Sequence, residues 1–210
     1  MLLIVLGLIA SYLIGSIPTA YIFVRLIKGV DVRKVGSGNV GATNASRILG
    51  KKLGILVLVL DILKGFVVVF FLGDFLASRI NLISADALRI ILGFVAICGH
   101  NWTIFLNFKG GKGVATTLGV LVALAFKIPG LNIALGLIII GWLIIFVISR
   151  IVSLASVIAA FLFPVFVLIF NHTIFISTIS IILAAFIILR HKSNIQRLLQ
   201  GKESRINFKK

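Results

Sequence analysis

The feature that most constrains this chain is a series of long apolar runs interrupted only by short polar segments. A helix of about 20 apolar residues crosses the roughly 30 Å hydrocarbon core of a bilayer. The runs are continuous rather than alternating, which favours helices over the strands of a membrane barrel. The sequence therefore predicts an all-α polytopic membrane helical bundle, formed by a single domain over residues 1–210. The predicted spans cover residues 2–24, 54–72, 88–105, 114–126, 131–148, 154–170 and 174–189.

The composition agrees with a membrane protein and not with a water-soluble one. Hydrophobic residues make up 60% of the chain and charged residues only 12%, and the mean hydropathy is +1.24. So few polar side chains cannot cover a soluble domain of this size. The net charge of +16 does not indicate nucleic-acid binding, because the basic residues cluster in loops, where they set topology and meet anionic lipid headgroups. Acidic residues are too few for a dedicated metal site, and no cofactor is expected.

The distribution of Lys and Arg predicts the orientation of the bundle. If the short run at 114–126 crosses the membrane, the segments 25–52, 109–112, 150 and 190–210 share one side and hold 17 of the 21 Lys and Arg. The cytoplasmic side carries the excess of basic residues. About seven transmembrane helices are therefore expected, with the N-terminus outside and the C-terminus in the cytoplasm. A re-entrant short run would instead move the basic tail outside.

A loop rich in glycine and lysine lies between two of these runs, at Phe108-Lys109-Gly110-Gly111-Lys112-Gly113-Val114-Ala115-Thr116. Glycine lets backbone N–H groups approach a ligand closely, and the helix start that follows would add N–H donors and a partial positive charge. Together with Lys112, this combination suits a phosphate group. The alternative is a flexible, positively charged loop at the membrane surface.

A second polar loop, at residues 36–47, is predicted to lie on the same side of the membrane. That side of the membrane is predicted to carry charged and polar donors of the kind that bind phosphate oxygens. They are Lys112, Arg47, Arg150, Arg190, Arg197, Ser37, Asn39, Thr43, Asn44, Ser153 and Asn194. This convergence favours a phosphate site over an inert surface loop. Asp61 and Lys64 lie three positions apart inside a predicted span and are interpreted as an internal ion pair that fixes helix packing.

Two familiar catalytic patterns do not fit the sequence. A P-loop needs Gly-Lys-Ser/Thr after a strand, whereas Lys112 is followed by glycine and no strand precedes it. A Ser–His–Asp triad is poorly supported, because the only acidic residues near the candidate Ser and His side chains are Asp31 and Glu203. His172 is expected in an outer loop without a role, and His100, at the end of a span, fits a packing role as well as a functional one.

Three segments, in one order along nearly the whole chain, carry a more specific pattern. They are Gly36-Ser37-Gly38-Asn39-Val40-Gly41-Ala42-Thr43-Asn44 with Arg47, then Gly99-His100-Asn101-Trp102 with the Gly/Lys loop, and Arg190-His191-Lys192-Ser193-Asn194-Ile195-Gln196-Arg197-Leu198-Leu199 with Gly201 and Glu203. In these segments the chain resembles the bacterial acyl-phosphate:glycerol-3-phosphate acyltransferases (the PlsY family). Val40 and Thr103 stand where that family is expected to have proline, which predicts looser loops rather than lost activity.

The resemblance implies an enzyme that transfers a fatty acyl group from acyl phosphate to the 1-hydroxyl of glycerol 3-phosphate. The products would be lysophosphatidic acid and phosphate, in the first acylation step of phospholipid biosynthesis. The enzyme would be a multi-pass protein of the bacterial inner membrane, in contact with membrane lipids, with its active site on the cytoplasmic side. A soluble acyl-phosphate synthase (PlsX) would supply the donor, and no metal or cofactor is implied.

The resemblance also implies roles for particular residues. The catalytic group is expected to be Ser37, Arg47 and Lys112, which would contact phosphate, with His191 and Asn194, which would hold the glycerol hydroxyls. The acyl-phosphate head would be cradled by Gly110, Gly111, Gly113 and Thr116. The wider substrate-binding set adds Gly38, Asn39, Thr43, Asn44, Ser153 and Arg197, of which Asn39, Asn44 and Arg197, like Glu203, are expected to lie behind the contact residues.

The general base and the function class both have alternatives. His191 is the conventional candidate base because its unperturbed pKa is near neutral. The activated donor and the shortage of carboxylates favour a different hypothesis, in which the phosphate of glycerol 3-phosphate takes the proton. A transporter for a phosphorylated solute is the alternative function, and a purely structural membrane protein is a third. Against transport, the predicted spans lack midplane charges apart from Asp61 and Lys64.

Overall fold

The structure, a computed structural model, describes residues 1–171 and 173–206, and these residues contain helices and no β-strand. The α-helices are α1 Leu2–Ser16, α2 Thr19–Lys28, α3 Ala42–Leu49, α4 Lys51–Val67, α5 Asp74–Ala77, α6 Ala85–Asn101, α7 Val114–Ala125, α8 Leu131–Ser149, α9 Val152–Phe170, α10 Ile174–Arg190 and α11 Lys192–Leu199. A π-helical segment, Val68–Gly73, joins α4 to α5, and single 3-10 turns lie at Val32–Lys34 and Ile104–Leu106. His172, to which the sequence assigns no role, lies outside the described residues.

Five helical segments of the described chain are long and apolar enough to cross a bilayer: Leu2–Lys28, Lys51–Ala77, Ala85–Leu106, Leu131–Ser149 and Val152–Phe170. A sixth candidate is α10 together with α11, which are bent by 62° at their junction. Helix α7 has 12 residues and is therefore about 18 Å long, shorter than the hydrocarbon core. The all-helical membrane fold is confirmed, while seven crossings and the orientation of the termini stay predictions.

One helix break and one helix continuation show how local chemistry changes the boundaries expected from hydropathy. The first span breaks between α1 and α2 at Pro18, which lacks the N–H that would continue the helix. The span predicted to end at residue 72 ends too early, because the helix continues to Ala77. Asp74 is tolerated there because its carboxylate pairs with Arg89 (2.7 Å) and Lys127 (2.7 Å).

The first compact unit, Met1–Lys127, is built on helix pairs whose backbones touch. Helix α1 packs against α6, and α4 packs against α7. Glycine makes both contacts possible, since a Cβ on Gly15 would collide with the backbone of Ala96, and one on Gly119 would collide with the carbonyl of Ile62. Small residues at such interfaces are typical of membrane helices, where close packing drives association. Because these two helix pairs pack closely, they hold the polar loops at their ends in place.

The second compact unit, Ile128–Lys210, is organised around α9 in its described part. Helix α9 packs against both α8 and α10, and the short α11 packs back onto α9 and α10. The indole N–H of Trp142 donates to Ser156 Oγ (3.2 Å), which joins α8 to α9. This arrangement brings α11, which the sequence leaves within a basic tail, against the start of α9. The prediction of a single domain over residues 1–210 stays a prediction.

Candidate active site

The glycine-rich loop that precedes α3 is held by one buried amide, the side chain of Asn44. Asn44 is only 1% exposed. Its Oδ1 accepts a hydrogen bond from the backbone N–H of Ser37 (2.9 Å), and its Nδ2 donates to the carbonyl oxygens of Val32 (3.1 Å) and Val35 (3.0 Å). Gly36 is left-handed, with φ +64°, and a Cβ there would collide with Asn44. Asn44 therefore fixes the backbone of the loop from its buried side.

Above this anchor, four polar side chains predicted to bind substrate lie at or near the surface. Ser37 and Arg47 are exposed, and Asn39 and Thr43 are half-buried. Thr43 and Arg47 are four positions apart on α3, so they share one face of that helix. A loop and a short helix thus combine hydroxyl, amide and guanidinium groups on a backbone that Asn44 fixes. Such donors suit an oxyanion.

The Gly/Lys loop is pinned to the end of α6 by its own amides. The N–H of Gly110 donates to the carbonyl of Asn101 (3.2 Å), and the N–H of Gly111 donates to the carbonyl of His100 (3.0 Å). A Cβ on either glycine would collide with His100. These two amides therefore hold the loop in place, which differs from the expectation that they face a phosphate.

The start of α7 supplies the other donors of this loop. Gly113 adopts φ +78° and caps α7, and the first hydrogen bond of the helix runs from Thr117 N to Gly113 O (2.7 Å). The N–H groups of residues 114–116 precede that bond and have no acceptor within the helix. Lys112 is half-buried and comes directly before the cap. Thr116 is 0% exposed, so its hydroxyl lies inside the unit and not at the surface.

A buried polar network lies beneath these loops and joins α2, α4 and α6. Asp61 Oδ1 accepts hydrogen bonds from Thr19 Oγ1 (2.6 Å) and Lys64 Nζ (2.8 Å), and His100 Nδ1 lies 3.7 Å from the same oxygen. Lys64 Nζ also donates to the carbonyl of Ile17 (3.0 Å). Asp61 and Lys64 thus form the internal ion pair expected from their spacing. The network ties the break between α1 and α2 to the end of α6, which carries the Gly/Lys loop.

Arg33 connects the two segments that precede the loops. Its guanidinium pairs with Asp31 (2.6 Å), and its NH1 donates to the carbonyl of Leu106 (3.2 Å), in the turn before the Gly/Lys loop. The hydrogen bond from Arg33 lowers the pKa of Asp31 to about 2. Asp31 is therefore ionised at neutral pH and engaged by its neighbour, so it is a poor candidate for a general base.

In the second unit, three predicted donors converge on one carboxylate, that of Glu203. Ser153 Oγ (2.8 Å) and Asn194 Nδ2 (2.5 Å) both donate to Oε1, and Arg197 Nε donates to Oε2 (2.6 Å). Burial raises the pKa of Glu203, but the hydrogen bonds from Asn194, Ser153 and Arg197 outweigh burial and lower the pKa below its ordinary value. Glu203 is therefore an ionised link between the start of α9 and α11. We call these four residues the Glu203 cluster.

His191 occupies the bend between α10 and α11. It is 3% exposed, and its Nδ1 lies 2.8 Å from the carbonyl oxygen of Ile187. A carbonyl oxygen only accepts, so Nδ1 carries the hydrogen and Nε2 is the accepting nitrogen of the neutral ring. The segment after α11 returns to the start of α9, where the N–H of Ile206 donates to the carbonyl of Arg150 (2.8 Å).

The structure brings the predicted residues together as two local groups. Residues of the 36–47 loop and of the Gly/Lys loop belong to the first unit, and Ser153, His191, Asn194 and Arg197 belong to the second. The sequence does not identify Thr19 as a member of the buried Asp61 network, because no pattern marks it. It also does not show that Glu203 lies at the centre of three donors. Glu203 had one signal, because it is the only acidic residue in the basic segment from residue 190 onward. In the described residues, no group of three or more His, Cys, Asp or Glu side chains could hold a metal ion.

Comparisons with known proteins cover almost the whole chain. A family model described as glycerol-3-phosphate acyltransferase matches residues 5–201. A curated relative of that name from Fusobacterium nucleatum is 44% identical over 201 residues, which cover 96% of this chain and 97% of the relative. A relative of the same name from Bartonella quintana is 45% identical over 199 residues, which cover 93% of this chain and 88% of the relative.

Two solved structures show the same similarity in three dimensions. The crystal structure of PlsY, an integral membrane glycerol 3-phosphate acyltransferase, in its glycerol 3-phosphate form is 39% identical and covers 97% of this chain and 96% of its own, with a TM-score of 0.84. The lysophosphatidic acid form is 38% identical and covers 97% and 95%, with a TM-score of 0.81.

Proposed function

Because this chain belongs to the glycerol-3-phosphate acyltransferase family, we propose that it transfers a fatty acyl group from acyl phosphate to the 1-hydroxyl of glycerol 3-phosphate. The products are lysophosphatidic acid and phosphate, so the reaction is the first acylation of phospholipid biosynthesis. The observation that carries the proposal is the similarity, over 97% of the chain, to an acyltransferase structure in a glycerol 3-phosphate form. The phosphate-suited donors of the first unit agree with two phosphorylated substrates.

The chemistry of the donor suits the groups that this chain offers. An acyl phosphate is a mixed anhydride with a good leaving group, so positioning and charge stabilisation matter more than a strongly activated nucleophile. Lys112 and the N-terminal amides of α7 bind the acyl-phosphate head and stabilise charge on the carbonyl oxygen and the departing phosphate. Gly110 and Gly111 shape this loop, and Gly113 starts the helix.

The remaining roles follow the chemistry of each side chain. Ser37 and Arg47 contact the phosphate of glycerol 3-phosphate, with support from Gly38, Asn39, Thr43 and Asn44. His191 and Asn194 hold glycerol hydroxyls, and Ser153 and Arg197 belong to the same part of the site. These roles rest on residue chemistry and on the family resemblance.

The proton of the attacking hydroxyl goes to the phosphate of glycerol 3-phosphate itself. The O1 oxygen forms a bond to the acyl carbon, the bond from that carbon to the phosphate oxygen breaks, and the O1 proton ends on the acceptor's own phosphate. The carboxylates near the candidate residues support this route, because Asp31 is engaged by Arg33 and Glu203 by three donors. Neither is a good proton acceptor.

The proposal includes the location of the enzyme and the source of its donor. The basic loops that carry the candidate residues favour a cytoplasmic active site in the inner membrane, with α7 completing seven crossings. Acyl phosphate is delivered by a soluble acyl-phosphate synthase (PlsX), and the acyl chain of the product lies among membrane lipids.

The test follows both products with purified protein in detergent or lipid cubic phase. Palmitoyl phosphate and glycerol 3-phosphate are supplied, and phosphate release is measured together with lysophosphatidic acid, with palmitoyl-CoA as the donor in a parallel reaction. We expect product from acyl phosphate alone. Lys112→Ala should lower the rate by about 100-fold or more, as loss of a charge-stabilising group does.

Lys109→Ala is the matched control, because Lys109 lies in the same loop but is exposed. It should retain most of the activity. Product from the thioester alone would contradict the proposed donor while keeping the acyltransferase class. No product from either donor with folded protein would contradict the proposed function, and movement of a phosphorylated solute across sealed vesicles would then indicate transport.

A further inference from the structure

Thr103 lies between the end of α6 and the Gly/Lys loop, and only 1% of its surface is exposed. Its hydroxyl donates a hydrogen bond to the carbonyl oxygen of Ser16 (2.6 Å) and accepts one from the backbone N–H of Phe105 (3.2 Å). A hydroxyl has one hydrogen to give and can also accept, so both bonds form together. Ser16 is the last residue of α1, and a carbonyl at the end of a helix needs a partner from outside that helix. Thr103 supplies this partner.

Further contacts hold the same stretch of chain against the end of α1. The hydroxyl of Tyr12 donates to the carbonyl of Trp102 (2.6 Å), and Ser16 Oγ donates to the carbonyl of Gly99 (3.3 Å). A Cβ on Gly99 would collide with the carbonyl oxygen of Tyr12, so the two backbones touch there. The segment that leaves α6 is therefore fixed to α1 up to Thr103, where the chain turns towards the Gly/Lys loop.

The turn after Thr103 has a backbone conformation that side chains rarely adopt. Asn107 and Phe108 are both left-handed, with φ +54° and +61°, which is strained above all for a bulky residue. Such strain persists only where the surrounding structure holds it. The carbonyl of Thr103 accepts hydrogen bonds from the N–H groups of Leu106 (3.2 Å) and Phe108 (2.9 Å). Thr103 thus closes the turn with its backbone while its side chain joins the turn to α1.

The strained turn leads directly to the groups that the proposed function assigns to the acyl phosphate. Phe108 is the first residue of the Gly/Lys loop, which continues through Lys112 to the start of α7. The amides of Gly110 and Gly111 tie the middle of this loop to the end of α6, and Thr103 ties the end of α6 to α1. Exact placement matters, because a misplacement of about 1 Å in a site costs about 100-fold in rate.

We propose that Thr103 is a positioning residue for binding of the acyl-phosphate head. Its hydrogen bonds hold the strained turn against the end of α1 and so place Lys112 and the first amides of α7, with support from Tyr12. Thr103 acts through the loop and not by touching substrate. The inference rests on the proposed function, which supplies the acyl phosphate, and all of its residues belong to the first unit, Met1–Lys127.

The kinetic test removes the Thr103 hydroxyl and keeps the shape of the side chain. In Thr103→Val, kcat/KM for palmitoyl phosphate should fall by at least about ten-fold through a higher KM, because the loop is no longer joined to the Ser16 carbonyl. KM for glycerol 3-phosphate should change by less than about two-fold, because Ser37 and Arg47 lie in the other loop. A merely structural role would lower the amount of active enzyme and leave both KM values unchanged, which would overturn the inference.

Two matched variants separate the hydroxyl from other effects of the substitution. Thr103→Ser keeps the donor and should retain at least about half of the wild-type kcat/KM. Thr178→Val makes the same chemical change in α10, where Thr178 Oγ1 donates to the carbonyl of Ile174 (2.8 Å), and should leave both KM values unaltered. An equal loss in Thr103→Ser and Thr103→Val, or a similar rise in KM in Thr178→Val, would overturn the inference.

Hydrogen exchange of backbone amides tests the same inference without substrate. Thr103→Val should speed exchange in peptides that cover residues 104–111 by about ten-fold or more, because the turn opens more often when its link to α1 is lost. Peptides from α10 should exchange at the wild-type rate. Unaltered exchange over residues 104–111 would show that Thr103 does not hold the turn and would overturn the inference.

The design also keeps this inference apart from the proposed function. A wild-type protein that transfers no acyl group contradicts the proposed function, whereas an active wild type with an unaltered KM for palmitoyl phosphate in Thr103→Val contradicts only the role of Thr103. If Thr103→Val fails to fold, as judged by its melting temperature in detergent, Tyr12→Phe takes its place, because the hydrogen bond of Tyr12 is exposed. Tyr12→Phe should raise KM for palmitoyl phosphate by about three-fold, and an unaltered value would count against the inference.

Discussion

His191 illustrates at the residue scale how a single hydrogen bond limits a chemical role. Its Nδ1 is directed to the carbonyl of Ile187, which leaves Nε2 as the accepting nitrogen. An accepting nitrogen can hold a hydroxyl in place, and it can also remove a proton. Kinetics distinguish the two roles.

If the phosphate of glycerol 3-phosphate takes the proton, His191→Gln should weaken binding more than chemistry. We expect a higher KM for glycerol 3-phosphate and a loss in kcat below the range of about 100- to 10,000-fold that general bases contribute. Steady-state rates at saturating acyl phosphate measure both quantities. A variant that binds glycerol 3-phosphate normally but has no detectable turnover would identify His191 as the base.

The types of residue in the site could be predicted from the sequence, but their hydrogen bonds could not. Ser37, Arg47 and Lys112 stand out as phosphate-suited groups in polar loops. The sequence gives no sign that the amides of Gly110 and Gly111 are used by carbonyls of α6, because those contacts form only when the loop closes on the helix end. The number of donors was therefore easier to predict than the direction in which each one points.

Two glycines in different helices give a matched test at the scale of the element. Gly119 of α7 lies against the carbonyl of Ile62, whereas a Cβ on Gly136 of α8 would meet nothing within 4 Å. Gly119→Ala should separate α7 from α4 and lower the melting temperature in detergent. Gly136→Ala should raise helix stability by about 0.5–1 kcal/mol, since alanine has the better propensity. Equal shifts for both variants would contradict the backbone contact between α4 and α7.

The ion pair inside α4 leads to a prediction about the stability of the fold. Asp61→Asn leaves Lys64 buried without its carboxylate, and breaking a buried pair in this way typically costs about 3–5 kcal/mol. Replacing both residues, in Asp61→Leu/Lys64→Leu, should cost less, because no charge is then left in an apolar region. Thermal unfolding of the three proteins in one detergent checks this order. A double variant less stable than the single one would show that the pair itself stabilises the fold.

Helix positions followed from hydropathy wherever an apolar run was uninterrupted, and the errors have physical causes. The span predicted to end at residue 72 continues past Asp74, because two basic partners allow this carboxylate to stay in the helix. Helix α11 escaped notice because its sequence is largely polar and basic. It packs on α9 and α10, but its buried residue is the polar Asn194, so no apolar stripe marks it in the sequence. In both cases the helix depends on contacts between residues distant in sequence, which hydropathy does not report.

At the scale of the whole molecule, the number of crossings sets the side on which the tail lies. The prediction is tested with single cysteines in a Cys98→Ser background, at the exposed positions Lys34, Arg79 and Lys202. With seven crossings, Lys34→Cys and Lys202→Cys should react with an impermeant maleimide from the cytoplasmic side and Arg79→Cys from the outside. The Cys98→Ser protein without an added cysteine is the control.

Labelling of positions 34 and 202 from opposite sides would show that α7 does not cross and that six crossings are present. This outcome is open physically because α7, with 12 residues, is shorter than the bilayer core unless the membrane thins or flanking residues extend it. Hydropathy could not settle the point, since a short apolar helix fits a crossing or a re-entrant segment equally well.

The position of Glu203 after α11 has a consequence for how the protein matures. All the helices that the structure describes must be synthesised before this carboxylate can reach Ser153, so insertion into the bilayer and completion of the Glu203 cluster are separate events. A cut by a protease between α11 and Glu203 would leave an inserted, folded helical body that lacks the group which orients Ser153 and Asn194. We therefore expect trimmed protein to pass every assay of membrane integration while it lacks the polar link between α9 and α11.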